Sequence, residues 1–318
     1  MSTQGSAAPA LAAFSDDVAN LVERVGGSVV ALQARRSYPA SAVILEPGVV
    51  ATAAHTLRRE EGITAVLADG SACAASLVGV DPGTDIAVLR VEPSGNAKSA
   101  SFAGAAIEFG DAAAVRPGHF VVAVARGTDG SLSASAGIVA RTGGAWRTWR
   151  GGSVDRLIQL DGGLWGGFSG GPVVDARGGV IGIGTSALSR GRAVVIPGSV
   201  LKRVSAQLLA RGHVSHAYIG AAVQPVEVPD ALRTQLGITH PHGLIVISTV
   251  PQGPADAAGI ALGDTLLTLD GKPLADVDDL KASLATDRIG KPVAVSLIRA
   301  KQLVNVDVVV GERPRGRC

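Results

Sequence analysis

The sequence predicts a mainly β chain of two domains, an antiparallel all-β domain followed by a smaller α+β module. Three observations predict it. From Ser28 onward the chain breaks into short Val/Ile/Ala runs separated by Gly, Pro, Asp or Asn, which is strand texture. No long helical pattern interrupts those runs before Ser199, so antiparallel pairing is the economical architecture. The length of 318 residues is enough for two separate cores. The 42 Gly and 16 Pro agree with many tight turns, and at 3% aromatic residues the cores must be filled by Val, Ile, Leu and Ala.

Residues 1–14 are rich in Ala, Ser and Gln and are expected to be loose, with Phe14 the one large side chain able to dock elsewhere. Ser15 reads as an N-cap, Asp16 and Asp17 suit a first turn, and Val18, Leu21, Val22 and Val25 share one helical face before Gly26-Gly27. An N-terminal segment with a short helix is therefore expected over 1–27. Strands are expected at Val29–Leu32, Ala42–Leu45, Val49–Ala51, Ile86–Val91, Phe120–Val124, Ile138–Ala140, Val173-Val174, Val180–Ile183 and Ala193–Ile196. Ser199–Arg211 places Val200, Leu201, Val204 and Leu208 on one face and stops at Gly212, a closing helix for a domain spanning 28–213. A linker over Gly212–His216 leads to the second module, 217–312. Its strands are expected at Ile219–Val223, Leu244–Val250, Leu266–Leu269, Val293–Ile298 and Val304–Val310, with helices at Pro254–Ala258 and Asp276–Leu284.

Composition excludes several classes. A formal charge of +2 leaves no electrostatic footprint for nucleic acid, and the short basic tail Arg313–Arg317 reads as a solvated terminus. Cys73 sits in an apolar alternating run and reads as a core residue, while Cys318 reads as a terminal free thiol; two cysteines allow no cysteine-rich zinc pattern. The amino terminus lacks Lys or Arg before residue 24 and has no apolar h-region, and no run reaches membrane-spanning length. The chain as given is expected to be cytoplasmic, unless an export segment is missing from it.

Chemistry concentrates at Gly166-Gly167-Phe168-Ser169-Gly170-Gly171-Pro172. A serine flanked by glycines can sit on a sharp turn with backbone N–H groups converging on an oxyanion, although a plain Gly-rich loop has the same composition. A serine nucleophile needs a base, and His55 ends the apolar run Val49–Ala54 where a strand could deliver it to a cleft; a hydrogen-bonded core histidine is the other reading. The base needs a shielded acceptor, and Asp85 stands at the mouth of the apolar strand Ile86–Val91, whereas Asp81 reads as a turn former before Pro82-Gly83. Gly167-x-Ser169-x-Gly171 also fits the nucleophile elbow of α/β-hydrolases. That elbow requires a helix after the serine, and Pro172-Val173-Val174 reads as a strand.

Thr52-Ala53-Ala54-His55, Gly83-Thr84-Asp85-Ile86-Ala87-Val88-Leu89 and Gly167–Pro172 together resemble the trypsin-like serine proteases in the order His, Asp, Ser. Tyr218-Ile219-Gly220-Ala221 resembles the carboxylate-binding loop of a bacterial PDZ domain, and the stretches 253–260 and 263–273 repeat the PDZ pattern. Tyr218 and Ile219 could otherwise simply open a buried strand. A trypsin-like domain followed by one PDZ domain resembles the HtrA (DegP/DegS) family. The resemblance implies a double β-barrel with catalytic His55, Asp85 and Ser169 and an oxyanion hole from the N–H groups of Gly167 and Ser169. It implies a substrate pocket shaped by Leu164 and Trp165 with Thr185 and Ser186 opposite, and no acidic pocket residue to favour cleavage after Lys or Arg. It also implies peptide capture by Tyr218, Ile219, Gly220 and Ala221, unfolded polypeptide as substrate, a homotrimer, no cofactor and no metal.

The sequence departs from the family at several points. Phe168 replaces the usual Asn before the nucleophile, Ala40-Ser41-Ala42 replaces Gly-Ser-Gly, the Arg35–Pro39 loop is short, and the Thr142–Trp149 segment is unusual. Phe168 keeps open an inactive oxyanion loop, and with it the alternative of a proteolytically idle, PDZ-containing chaperone or scaffold.

Overall fold

The computed structural model describes residues 7–34, 39–92, 106–189, 192–284 and 288–313. The Arg35–Tyr38 part of the short loop, the basic tail beyond Arg313 and Cys318 lie outside the described residues. The chain divides into two compact units, Met1–Val214 and Ser215–Cys318.

The first unit opens with α1 (Ala7–Gly26), longer than the expected helix by eight residues. Ser15 is therefore interior and caps nothing. The reason is local: Ala10, Leu11, Ala12 and Ala13 are good helix formers, and Pro9 falls in the first turn, where its missing N–H costs little. Leu21 is buried, Val18, Val22 and Val25 pack beside it, and Phe14 meets Phe120 edge-on at 5.3 Å between ring centroids.

Strands β1 (Val29–Gln33), β2 (Ala40–Glu46), β3 (Val49–Ala53), β4 (Ile63–Val66), β5 (Ala72–Asp81) and β6 (Ile86–Glu92) close into one antiparallel barrel in the order β1-β2-β3-β6-β5-β4. A second closed barrel follows, built from β7 (Phe120–Arg126) and β8 (Leu132–Gly143), then β11 (Leu157–Leu160), β12 (Pro172–Asp175), β13 (Val180–Thr185) and β14 (Val194–Pro197). Between β8 and β11 a small hairpin, β9 (Trp146–Arg147) with β10 (Ser153–Val154), occupies the unusual Thr142–Trp149 region. The chain is thus mainly β, as the texture of the sequence predicts.

Burial explains why these strands read as unbroken apolar runs. On β2, Ala42 and Ile44 point into the first barrel while Val43 points out of it, into a core that also takes Val122 and Val124 of β7. Val121, Ala123 and Ala125 fill the second barrel. A strand buried on both faces shows no polar alternation. α2 (Gly198–Arg211) closes the shared core with Val200, Leu201, Val204 and Leu208, all fully buried, and ends at Gly212 (φ +72°), whose N–H caps Leu208 O at 2.7 Å. At about 1.5–3 kcal/mol per buried aliphatic side chain, that face outweighs the helix's poor N-cap, Pro197. Cys73 is buried inside the first barrel as a free thiol.

The second unit holds β15 (Ala217–Tyr218), β16 (Ala221–Glu227), α3 (Asp230–Leu236), β17 (His242–Thr249), α4 (Pro254–Ala257), β18 (Thr265–Leu269), β19 (Lys272–Pro273), α5 (Val277–Ser283), β20 (Pro292–Arg299), β21 (Gln302–Val309) and β22 (Gly311–Glu312). The main sheet runs β16-β17-β18-β20-β21, with β19 paired to β18, and β15 pairs with β22. The strand expected from Ile219 starts only at Ala221, because Gly220 adopts φ +74° and turns the chain. α3, which the sequence reading did not contain, packs Leu232 and Leu236 on Val228, Leu267 and Ile298. α5 starts with a reciprocal capping box between Asp276 and Asp279.

Candidate active site

Three segments of the first unit converge. β3 ends at Ala53, and a single 3-10 turn, Ala54–Thr56, presents His55 at the barrel rim. The turn is held by Thr56 Oγ1 donating to Ala53 O (2.6 Å). Asp85 lies at the end of the β5–β6 turn with φ +59°, a conformation that costs a non-glycine residue about 1–3 kcal/mol. Its surroundings hold it there. The buried Asp81 carboxylate accepts from Gly83 N (3.0 Å) and Thr84 Oγ1 (2.6 Å), and Asp85 O accepts from Ala54 N (2.9 Å). Asp81 is therefore a turn former, and a buried one.

The Asp85 side chain is 1% exposed and accepts three hydrogen bonds. Oδ1 takes His55 N–H at 2.8 Å, and Oδ2 takes His55 Nδ1 at 2.8 Å and the Thr185 hydroxyl at 2.5 Å. A carboxylate can only accept, so Nδ1 carries the proton and Nε2 of the neutral ring is left as the basic nitrogen. Such a carboxylate, buried but satisfied, stabilises an imidazolium without having to be protonated itself.

Ser169 sits half-buried on the turn between β11 and β12 and shares one cleft of about 280 Å³ with His55. The turn is close-packed. A Cβ at Gly170 (φ +88°) would stand 2.2 Å from both Ser41 O and Thr52 Oγ1, so no larger residue fits after the serine. Gly170 N donates to Gly184 O and Gly184 N to Gly171 O, both at 2.9 Å, which ties the turn to β13. Phe168 N donates to Trp165 O (3.1 Å). The amides of Gly167 and Ser169 donate to no protein acceptor among the described residues.

The sequence reading left Phe168 as a possible fault beside that turn. Phe168 is 7% exposed, belongs to the core of the second barrel with Val173, Ile158 and Val195, and does not line the cleft. Leu164, Trp165 and Ser186 line the cleft, with Trp165 74% exposed at its rim. Thr185 does not. Expected in the pocket wall, it is fully buried behind Asp85, and its hydroxyl also accepts from Ala187 N at 3.1 Å. Sequence reasoning also missed Arg58, which lines the cleft, and Ser41, whose hydroxyl donates to Gly167 O at 2.7 Å. A buried hydroxyl in an otherwise apolar strand was the signal available for Thr185 and Ser41.

In the second unit, Tyr218 pairs with Gly311, Ile219 is buried, and the two carbonyls that follow are taken: Ala255 N donates to Ile219 O (2.7 Å) and Val250 N to Gly220 O (2.8 Å). The amides of Ile219 and Gly220 have no protein acceptor among the described residues. The next residue, Ala221, begins β16, an edge strand of the sheet, and Ala221 and Val223 share a core with Val277 and Leu280 of α5. No group of three or more His, Cys, Asp or Glu able to hold a metal ion occurs among the described residues.

Comparison with known proteins accounts for both units. The trypsin-like peptidase domain model matches residues 40–183 and the PDZ domain model residues 217–310. The HtrA-type protease AlgW with a decapeptide superposes over 94% of this chain and 99% of its own, with a TM-score of 0.73 and 28% identity. This chain is a trypsin-like peptidase domain followed by a PDZ domain. The serine endoprotease from Yersinia pestis, at 25% identity and a TM-score of 0.72, covers 93% of this chain and 98% of its own. Among curated relatives, the "Probable periplasmic serine endoprotease DegP-like" of Brucella suis is 36% identical over 280 residues, 86% of this chain and 52% of that protein. The chain spans about half the length of the curated relatives it matches. No helix among the described residues is long and apolar enough to cross a membrane.

Proposed function

We propose that this chain is a serine endopeptidase of HtrA type that cleaves unfolded polypeptides without ATP or cofactor. The observation that carries the proposal is the pair of hydrogen bonds by which Asp85 grips His55, beside Ser169 in the same cleft. Ser169 Oγ attacks the scissile carbonyl carbon while His55 Nε2 takes its proton. Asp85 keeps Nδ1–H oriented and offsets the imidazolium charge. The Gly167 and Ser169 amides receive the tetrahedral oxyanion, which is why their lack of protein acceptors matters. Collapse breaks the C–N bond, and the imidazolium gives its proton to the leaving amine. Water, activated by the same histidine, then hydrolyses the acyl-enzyme.

Leu164, Trp165 and Ser186 form an uncharged wall for the residue before the scissile bond, which favours aliphatic side chains over Lys or Arg. The second unit binds extended carboxyl-terminal peptides. Such a peptide adds as a strand to β16, its carboxylate received by the Ile219 and Gly220 amides, with Tyr218 and Ala221 flanking the loop. Assembly as a homotrimer through the amino-terminal region and a periplasmic site of action, as in the names of the relatives, complete the reading; light scattering finding only monomer would remove the trimer.

The test is hydrolysis of a denatured protein by the full chain and by Ser169→Ala, with and without a hydrophobic carboxyl-terminal peptide. Cleavage by the wild type alone, raised by the peptide, is expected. Peptide binding without cleavage under any condition would favour the idle scaffold. The inward packing of Phe168 weakens that alternative, because it removes the residue that motivated it.

A further inference from the structure

The Ser41 side chain joins the first barrel to the oxyanion turn through a hydrogen bond that spans 126 positions of sequence. It lies on β2, is fully buried, and its hydroxyl does two things at once. It donates to Gly167 O at 2.7 Å and accepts from Arg126 N, on β7 of the second barrel, at 3.2 Å. Its own carbonyl accepts from Thr52 Oγ1 at 2.6 Å, which fixes Ser41 to the strand that carries His55.

The consequence follows from where that carbonyl sits. Gly167 O and Phe168 N belong to one peptide plane, and the plane is anchored at both edges, by Ser41 on the oxygen and by Trp165 O on the N–H. Along the chain, the Gly167 amide immediately precedes this peptide and the Ser169 amide immediately follows it. Gly167, at φ +97°, is loosely surrounded: a Cβ there would meet nothing nearer than Pro39 O at 3.5 Å, whereas one at Gly170 or Gly171 would come within 2.2 Å of backbone. Without an anchor the turn has freedom at the very amide that must point at the oxyanion. Misplacement by about 1 Å costs on the order of 10²-fold in rate.

We propose that Ser41 is a positioning residue for the oxyanion hole: its hydroxyl holds the Gly167–Phe168 peptide so that the two flanking amides face the attacked carbonyl. This rests on the proposed protease reading. Ser41 touches neither substrate nor the reacting atoms, so it acts on the transition state and leaves substrate binding alone.

The experiment uses the full chain with a peptide substrate and a peptidyl boronic acid, which forms a tetrahedral adduct with the serine. Ser41→Ala and the near-isosteric Ser41→Cys are compared with wild type and Ser169→Ala. The expected result is a kcat lower by about 10–100-fold in both Ser41 variants, with KM within about threefold of wild type. Boronate affinity should fall in parallel with kcat/KM, and the acid limb of the kcat/KM profile should not move. Cooperative melting near the wild-type temperature, in the cysteine variant if not in the alanine, shows that the turn alone has changed. A folded variant with wild-type kcat, or one whose KM and acid limb shift together with kcat, overturns the positioning role and leaves the protease reading standing. Absence of Ser169-dependent cleavage in the wild type takes down both.

Discussion

Asp85 is the residue on which the account depends most, because its carboxylate serves His55 through two atoms and Thr185 through one. Asp85→Asn keeps the shape but offers an N–H where the imidazole needs an acceptor. It should lower kcat/KM by about 10⁴-fold with little change in melting temperature. Thr185→Val removes one charge-assisted hydrogen bond without changing volume. At about 1.5–3 kcal/mol for such a bond, kcat/KM on a peptide substrate should drop about 10–100-fold. An unchanged value would mean that Thr185 is packing only. Which of these residues meet was partly readable in the sequence. His55 and Asp85 each interrupt an apolar strand end, where a polar side chain must find a partner. Thr185 was misread as pocket wall because a run of alternating small residues does not reveal which face of β13 looks into the cleft. The burial of Phe168 was not legible, since a sequence cannot tell a side chain beside a turn from one folded under it.

At the scale of elements, the β9–β10 hairpin explains how a strained aspartate stays in place. Thr148, 4% exposed, donates its hydroxyl to Gly83 O at 2.6 Å and accepts from Gly152 N at 3.1 Å. Gly152 itself lies against the Asp85 turn, and a Cβ there would come within 2.2 Å of Gly83 C. The Trp149 indole donates to Ala187 O, two residues beyond Thr185. One hairpin thus touches both segments that hold the Asp85 carboxylate. Gly152→Ala should cost about 1–3 kcal/mol of stability and lower kcat by displacing the Gly83 backbone, whereas Gly144→Ala, which meets nothing within 4 Å, should do neither. Thermal melting alongside peptide hydrolysis reads both effects. This hairpin was legible only as an unusual stretch, because its meaning lies in a backbone contact with residues about 65 positions earlier. The helix boundaries behaved differently: α2 and α5 carry stop and cap signals in their own residues, whereas α1 runs past a serine that looked like a cap because nothing upstream breaks it.

For the molecule as a whole, the double barrel was legible as a class and the barrel order was not. Continuous apolar runs say that strands are buried on both faces, but closure of β1 on β4 and the pairing of β7 with β12 join strands far apart in sequence. In the second unit, burial would raise the Asp264 carboxyl, but hydrogen bonds from Arg299 and Ala261 N–H and the Arg299 charge more than offset it and hold it below the usual carboxylate value. Its contribution to stability is therefore complete above the unfolded value of about 4 and is lost as pH falls through the depressed folded value. All three tryptophans, Trp146, Trp149 and Trp165, belong to the first unit. Unfolding of the second unit should thus appear in far-ultraviolet circular dichroism and be silent in tryptophan fluorescence. Asp264→Asn should lower its midpoint at neutral pH and flatten its dependence on acid; an acid dependence equal to wild type would contradict the assignment.

The central claim is that Ser169 is a nucleophile made reactive by His55. The direct measurement is labelling of the folded chain with a fluorophosphonate, the modified residue being located by peptide mass spectrometry. The account predicts one adduct, on Ser169, formed orders of magnitude more slowly in His55→Ala. A folded wild type that takes no label at Ser169, or takes it equally fast without His55, would contradict it.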